Sequence, residues 1–263
     1  MNVPDRESGR TVLHWAVQSE NANLVKELLK LGADPNVKDK NWETPFFAAL
    51  KLGKTDILKT LLAAGCRVTV TDRSFNTALH IAAKDGQKDF VPLLIKAGLN
   101  VDLKGAGGLT PLMLASFGAH VDTADILLQY DAKTDLTDRN RASSLTYAIL
   151  SEGTDANIHT IVKMLIRSNC NINQSAKLTN VVKTFSINLG DGILIEDRLY
   201  SPLELAFVRG KTAVFMMLIK AGCDLTTFKC SNESIFKDNK NVKNDLRNRL
   251  DQPTIIILFR YLI

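Results

Sequence analysis

The histidines are the residues of this chain best suited to acid–base chemistry or metal binding, and they are dispersed. His120 and His159 have no pattern of cysteines or carboxylates near them in the sequence, which a metal site or a nucleophile–base pair would require. His14 and His80 each stand three residues after a threonine, at one position of a recurring pattern. The histidines therefore do not predict a catalytic centre.

Aspartates and glycines do not form a catalytic or nucleotide-binding set either. Gly190-Asp191-Gly192 lacks the strand–helix context and the further glycine of a nucleotide-binding loop. Other aspartates are spread along the chain at turn positions, where we expect them to accept hydrogen bonds from backbone N–H groups: Asp34, Asp39, Asp72, Asp102 and Asp138. The sequence therefore predicts a protein that is not an enzyme and that holds no cofactor or metal.

The four cysteines indicate a reducing compartment. Cys66, Cys170 and Cys223 occupy the same position of a repeat, and Cys230 stands apart from them. The sequence contains no Cys-x-x-Cys motif, the spacing that would suggest a metal site or a redox pair. We expect the three repeated cysteines to be small buried apolar side chains.

The elements that position these residues are helix pairs that recur every 33 residues. In the copy at Thr44–Arg73, Thr44 is a good N-cap and Pro45 suits the first helical position. Gly53 separates the two helices, and Gly65 fits the left-handed residue that ends the second one. The copies open at Thr11, Thr44, Thr77, Thr110 and Ser143, and a sixth copy opens at Ser201.

The openings and ends of these copies resemble the ankyrin repeat family. Thr77-Ala78-Leu79-His80 and Thr110-Pro111-Leu112-Met113 are similar to its T-P-L-H motif. The resemblance covers residues 6–225 and implies an all-α ankyrin-repeat solenoid of about six helix–turn–helix repeats with short β-turn fingers. It also implies that His14 and His80 bridge backbone groups of adjacent repeats. The family's function implies a non-catalytic module that binds a partner protein in a groove of fingers and inner helices.

Basic and aromatic residues occupy many of the positions that would line this groove. Trp42 and Phe75 replace the turn glycine of two fingers, and they either pack against adjacent fingers or form an exposed patch for a partner. The basic residues predict a partner with an acidic segment, the alternative being an ordinary solvated surface. They are Arg10, Lys40, Arg73, Arg139 and Arg141 in the fingers, and Lys51, Lys84 and Arg209 near the ends of the first helices.

An insertion, residues 177–199, interrupts the repeats before the sixth copy. Within it, residues 184–195 place two alternating or β-branched arms around Gly-Asp-Gly, which predicts a β-hairpin or long loop on the finger side. Such an insertion either contacts a partner or is a tolerated surface loop.

The C-terminal tail, residues 226–263, ends in an apolar segment. Its apolar residues recur at helical spacing, which suits a helix that caps the last repeat. The segment also resembles the start of the SOCS box of ubiquitin-ligase adaptors, with Ile255, Phe259 and Ile263 at the elongin-binding positions. Phe259 replaces the cysteine of that motif, and no cullin-contacting proline motif follows. This resemblance implies elongin C as a partner and, as an alternative function, a substrate-recognition adaptor of a cullin-type ubiquitin ligase.

Composition is compatible with this interpretation. The hydrophobic share of 45% is sufficient for a folded core, and a net charge of +5 permits an acidic partner without demanding nucleic acid. The sequence contains no run of 18 apolar residues, which a membrane-spanning helix would need. The polar N-terminal stretch does not resemble a signal peptide. We therefore expect a monomeric cytoplasmic or nuclear protein that contacts neither a membrane nor nucleic acid.

Overall fold

The computed structural model describes residues 2–185, 187 and 198–225, and this part of the chain is mostly helical. Twelve of its helices form six pairs, one pair for each predicted repeat. The pairs are α1 (Val12–Gln18) with α2 (Ala22–Lys30), α3 (Pro45–Lys51) with α4 (Thr55–Ala63), α5 (Ala78–Lys84) with α6 (Phe90–Lys96), α7 (Pro111–Phe117) with α8 (Val121–Gln129), α9 (Ser144–Leu150) with α10 (Asp155–Arg167), and α12 (Pro202–Val208) with α13 (Thr212–Lys220).

The first, or inner, helix of a pair begins after a threonine or serine that has an extended backbone. In the sixth repeat the Glu204 N–H donates to Ser201 Oγ at 3.3 Å, and the Ser201 N–H donates to the Glu204 carboxylate at 2.8 Å. This reciprocal capping satisfies N–H groups that the first helical turn leaves without partners. The same capping box is present at Thr11, Thr77 and Ser143, whereas Thr44 makes no side-chain cap hydrogen bond and its helix begins with Pro45.

The second, or outer, helix of a pair ends at a residue with a left-handed backbone. Gly65 has this conformation, with φ of 77°, as its place in the repeat predicts. Asp131 and Asn169 take the same position in the fourth and fifth repeats, with φ of 60° and 56°. Aspartate and asparagine tolerate this region better than other side chains do.

Apolar side chains from both helices of a pair form the core. Phe46 and Leu58 of the second repeat are fully buried between α3 and α4. Cys66, Cys170 and Cys223 are free thiols, and burial raises the pKa of each to about 11. Their predicted role as small apolar side chains is confirmed, whereas Cys230 lies outside the described residues.

The chain divides into two compact units. Among the described residues, the first comprises residues 2–115 together with Asp122–Ala132, and the second comprises Ser116–Val121 with residues 133–185, 187 and 198–225. The fingers that precede α1, α3 and α5 belong to the first unit, and the finger that precedes α9 belongs to the second.

The insertion before the sixth repeat begins with a helix, α11 (Leu178–Phe185). Strands β1 (Ala176–Lys177) and β2 (Leu199–Tyr200) flank it and pair in an antiparallel sheet, so the insertion emerges from a finger, as predicted. Residues 184 and 185 were predicted to lie in one β-strand arm of a hairpin. This prediction is wrong, because both residues belong to the last turn of α11. The hairpin's residue 186 and residues 188–197 lie outside the described residues.

Candidate protein-binding surface

The fingers are tight turns built on an aspartate. One carboxylate oxygen of Asp39 accepts hydrogen bonds from the N–H groups of Asn41 and Glu43, at 2.8 and 3.0 Å. Asp72 and Asp138 each accept two N–H groups at the same spacing in their own fingers. The predicted turn role of these three aspartates is confirmed, and the finger backbone is held by its own hydrogen bonds.

Three fingers hold a large side chain in a backbone conformation that favours glycine. The residue two positions before the opening of the repeat has a left-handed backbone, and the first finger has Gly9 there, with φ of 73°. Trp42, Phe75 and Arg141 occupy the equivalent positions, with φ of 67°, 65° and 64°. This conformation costs a residue with a side chain about 1–2 kcal/mol. The three side chains are therefore present despite an unfavourable backbone.

The two aromatic rings at these positions are exposed rather than buried between fingers. Trp42 is 56% exposed and Phe75 is 74% exposed. The Lys38 ammonium lies 4.6 Å from the centre of the Trp42 ring, within the range of a cation–π interaction. Lys38 is not among the predicted groove residues, although its charge four residues before a tryptophan is visible in the sequence. The first unit thus presents large apolar surfaces beside positive charge.

Basic residues of the first unit also connect neighbouring fingers. The Arg73 guanidinium donates to the carbonyl oxygen of Lys40, which is 33 residues earlier in the chain. The Lys40 ammonium donates in turn to the carbonyl oxygen of Arg6, at 2.7 Å. These two predicted groove residues therefore link three successive fingers while keeping their charge at the surface.

Other basic residues of the first unit have acidic partners within it. Arg10 donates through Nε to buried Asp39 at 3.3 Å, and Lys51 forms a salt bridge with Glu43. Lys84 is the last residue of α5, as its place in the repeat predicts, and is exposed. The acidic partners of Arg10 and Lys51 reduce the net positive charge that these two residues contribute to the surface.

The predicted basic residues of the second unit differ in exposure. Arg139 and Arg141 are exposed in the finger that precedes α9. Arg209 is half-buried after α12, where its guanidinium donates to the carbonyl oxygen of Ser151 at 3.4 Å. Burial lowers the pKa of the Arg209 guanidinium. Arg209 was predicted to line the groove together with Arg139 and Arg141, but it is less exposed than these two residues.

Trp15 belongs to the surface of the first unit and is not among the predicted groove residues. It follows Thr11 by four residues on α1, and its ring is 50% exposed. The Arg10 guanidinium lies 5.4 Å from the centre of this ring. The next two repeats have Ala48 and Ile81 at the same position. The larger aromatic side chain at this position of the first repeat is the feature of the sequence that distinguishes Trp15.

His14 and His80 bridge adjacent repeats, as the family resemblance implies. The Nδ1 atom of His14 accepts a hydrogen bond from the Thr11 N–H at 3.1 Å, so the proton of the neutral ring lies on Nε2, which donates to the carbonyl oxygen of Glu43 at 3.1 Å. His80 makes the same contacts with Thr77 and Leu109. Burial lowers the pKa of both imidazoles. These two histidines are structural links between repeats.

Within residues 2–185, 187 and 198–225, no group of three histidine, cysteine or acidic side chains is arranged to hold a metal ion. In the same residues, no helix has the length and apolar character needed to cross a membrane. The predicted elongin-binding residues Ile255, Phe259 and Ile263 lie outside the described part of the chain.

A family model places the chain in a known class of repeat protein. The model for ankyrin repeats (3 copies) matches residues 1–72, 46–138 and 79–176, which together are more than half of the chain. The chain belongs to the ankyrin repeat family, and its fold is the predicted all-α ankyrin repeat fold with short strands. Ankyrin repeats are, in general, protein–protein interaction modules.

Two curated relatives match over short stretches. The chain is 43% identical to the 2-5A-dependent ribonuclease of Homo sapiens over 53 residues, which are 20% of this chain and 7% of that protein. It is 41% identical to an ankyrin repeat protein of Acanthamoeba polyphaga mimivirus over 51 residues, which are 19% of this chain and 7% of that protein. The matched segment is thus a small part of either relative.

A solved structure shares the fold over most of the chain. The crystal structure of an ankyrin repeat domain from Acinetobacter baumannii AYE superposes with a TM-score of 0.68. The superposition covers 81% of this chain and 98% of that one, at 22% sequence identity. At this identity the likeness shows a common fold and gives no information about partners.

Proposed function

We propose that this chain is a binding module without catalytic activity, which holds a partner protein on the second and third fingers of its first unit. The observation that carries this proposal is the pair Trp42 and Phe75, two large exposed rings in a left-handed backbone. An exposed ring adds little to folding stability, and its backbone is unfavourable. Aromatic side chains are enriched among the residues that dominate binding energy at interfaces, so binding accounts for both features.

The charge around these rings favours an acidic partner segment. Lys38 lies over Trp42, and Lys40 and Arg73 lie in the same two fingers with their charges at the surface. Opposite charges across an interface accelerate association and select the partner. The ligand that fits this surface is a protein segment that combines aspartate or glutamate with large apolar side chains.

The ribonuclease activity in the name of the human relative is not part of this proposal, because the match covers 7% of that protein. The matched stretch is of the size of one or two repeats, and the rest of that protein has no counterpart in the comparison. The relatives support the assignment of the chain to a class of protein–protein interaction modules.

Selection of peptides from a random displayed library tests the proposed ligand chemistry. We expect enriched sequences to combine acidic and large apolar residues, and to bind more weakly as salt screens the charges. Leu31→Ala is a control, because Leu31 is an apolar residue that is 68% exposed and stands at the end of the outer helix α2 rather than in a finger. This variant should bind the selected peptides as the wild type does. Enrichment of neutral or basic peptides, or binding that salt does not weaken, would contradict the proposal.

We propose as a second function the adaptor activity that the C-terminal sequence suggests. Thr254, Ile255, Phe259 and Ile263 follow the spacing of an elongin-binding helix, and Arg260 fits the arginine that often follows in that motif. Deletion of residues 252–263 separates this function from a capping role. An adaptor loses elongin C binding with little change in Tm, whereas a cap loses thermal stability.

A further inference from the structure

The insertion that contains α11 is an addition to a finger that is already closed. Ala176 pairs with Tyr200, and Lys177 pairs with Leu199, so β1 and β2 bring the two ends of the insertion together. The fingers of the earlier repeats turn within a few residues and carry no α-helix, only a single 3₁₀ turn at Ala106–Gly108. The repeat fold therefore does not require α11, and its contacts call for a separate explanation.

One side of α11 is apolar and is turned toward the protein. Leu178 and Val181 are each 1% exposed, and Phe185 follows them at helical spacing. Ile187, which donates its N–H to the carbonyl oxygen of Val182, is also buried. Residues at i, i+3 and i+7 lie on one face of a helix. This is the pattern by which an amphipathic helix inserts into a groove.

Two aromatic residues of the second unit receive this face. The centre of the Phe185 ring lies 4.5 Å from that of Phe117, which ends α7, and 5.5 Å from that of Tyr147 on α9. Phe117 and Tyr147 also contact each other edge to face, with ring centres 6.2 Å apart. The three rings form one aromatic cluster, in which the insertion contributes a single ring.

The repeat itself fixes the position of Tyr147. The Tyr147 hydroxyl donates to Asp138 at 2.9 Å, and Asp138 is held in its finger by the N–H groups of Asn140 and Ala142. None of these contacts involves α11. The aromatic acceptor surface is therefore preorganised by the repeat, and α11 fills it.

Phe117 occupies a repeat position that faces solvent in the first unit, whereas the position of Tyr147 varies there from exposed at Trp15 to half-buried at Ala48 and Ile81 and buried at Leu114. Phe117 follows its opening residue by seven positions, as exposed Lys51 and Lys84 do. Tyr147 follows its opening residue by four positions, as Trp15 does, yet Tyr147 is 1% exposed and Trp15 is 50% exposed. Phe185 of α11 thus packs on Phe117, whose repeat position the first unit leaves exposed, and on Tyr147 beside it.

We propose that the surface formed by Phe117 and Tyr147 is a second interaction site, distinct from the fingers of the first unit, and that its ligand is an amphipathic helix with an aromatic anchor. The occupant in this structure is α11, supplied by the same chain. A partner helix with leucine, valine and phenylalanine at the spacing of Leu178, Val181 and Phe185 competes with α11 for this site. The ligand is apolar, in contrast to the acidic segment proposed for the fingers.

Binding of α11 as a separate peptide tests this proposal. In the test variant Asn-Gly replaces residues 178–197, so that a three-residue loop of Asn, Gly and Arg198 joins Lys177 to its partner Leu199, a loop length that suits a hairpin. The variant retains Arg198, whose guanidinium pairs with buried Glu204 at 3.0 Å. A peptide of residues 177–187 with blocked termini should bind this variant at least about tenfold more tightly than it binds the wild type, in which α11 occupies the site. A peptide with Phe185→Ala should bind about tenfold more weakly than the unmodified peptide.

Val181→Asp in the full-length chain gives an independent test if the shortened variant does not fold. The buried carboxylate disfavours docking of α11 and leaves Phe117 and Tyr147 unchanged. This variant should bind the peptide more tightly than the wild type, and the added change Phe117→Ala should remove the gain. If a folded shortened variant, or the Val181→Asp variant in its place, binds the peptide no more tightly than the wild type, the proposal is wrong.

Discussion

The Arg73 guanidinium donates a hydrogen bond to the carbonyl oxygen of Lys40, so a side chain of the third finger is attached to the backbone of the second. The Lys40 ammonium continues the connection to Arg6 in the first finger. The groove cations that the sequence suggested for partner binding are therefore also structural. A charge reversal at these positions would disturb both roles, which makes them poor single tests of binding.

Arg73→Ala should lower the free energy of unfolding by about 1 kcal/mol, since it removes one charge-assisted hydrogen bond at the surface. Arg139→Ala, at an exposed finger position of the second unit, should change it by less than about 0.5 kcal/mol. Denaturant unfolding of both variants measures the difference. Equal stabilities would show that the connection between fingers contributes nothing.

Lys38→Glu should slow association with an acidic peptide selected on the fingers and should leave folding stability nearly unchanged. Lys38 contributes its charge beside the Trp42 ring, and an exposed charge acts mainly on the association rate. Stopped-flow association at low and high salt measures the effect, which should fade as salt increases. A variant that associates as fast as the wild type at low salt would exclude a contribution of Lys38 to the proposed site.

Stability should decrease on acidification because His14 and His80 are buried in their neutral form. Burial lowers the pKa of each imidazole below its ordinary value of 6.5, so the unfolded chain binds protons first as the pH falls. The histidine contribution is thus fully present above 6.5 and is lost as the pH falls through the lowered pKa values. Unfolding free energies from pH 8 to pH 5 measure this loss.

The variant His14→Gln/His80→Gln is less stable than the wild type at pH 8, because it lacks two links between repeats. Its stability should nevertheless depend less on pH below 6.5. An acid dependence as steep as that of the wild type would assign the loss to other groups.

Tyr147→Phe should cost about 1–3 kcal/mol of folding stability, since buried Asp138 loses the hydroxyl that donates to it. Tyr130→Phe is the matched control, because Tyr130 is half-buried at the end of α8, and it should cost less than about 0.5 kcal/mol. The two variants are compared by urea denaturation. Similar losses would mean that the bond between Tyr147 and Asp138 does not stabilise the repeat.

The repeat frame could be predicted from sequence because it depends on local chemistry. Thr44 and Pro45 start a helix, and Gly65 ends one, wherever they occur in the family pattern. The burial of Arg209 and the helix at Phe185 could not be predicted in this way. Both depend on contacts with residues distant in the chain, Ser151 in the first case and Phe117 with Tyr147 in the second.

The candidate site was predicted in part. The replacement of turn glycines by Trp42 and Phe75 identified both finger residues, whereas their exposure required the structure. The charge on Lys38 and the ring of Trp15 gain meaning only from their positions relative to neighbouring side chains.

Trp42→Gly/Phe75→Gly should fold as stably as the wild type, because relief of about 1–2 kcal/mol at each left-handed residue offsets the greater entropy that glycine gives the unfolded chain. Thermal unfolding checks this outcome. A loss of more than about 2 kcal/mol would assign the rings a structural role instead.

The affinity of this double variant for a peptide selected on the wild type tests the central claim most directly. Isothermal titration should show that the affinity falls more than about tenfold, as expected when two interface aromatics are removed. An affinity equal to that of the wild type, in a variant that remains folded, would contradict the assignment of the fingers as the binding site.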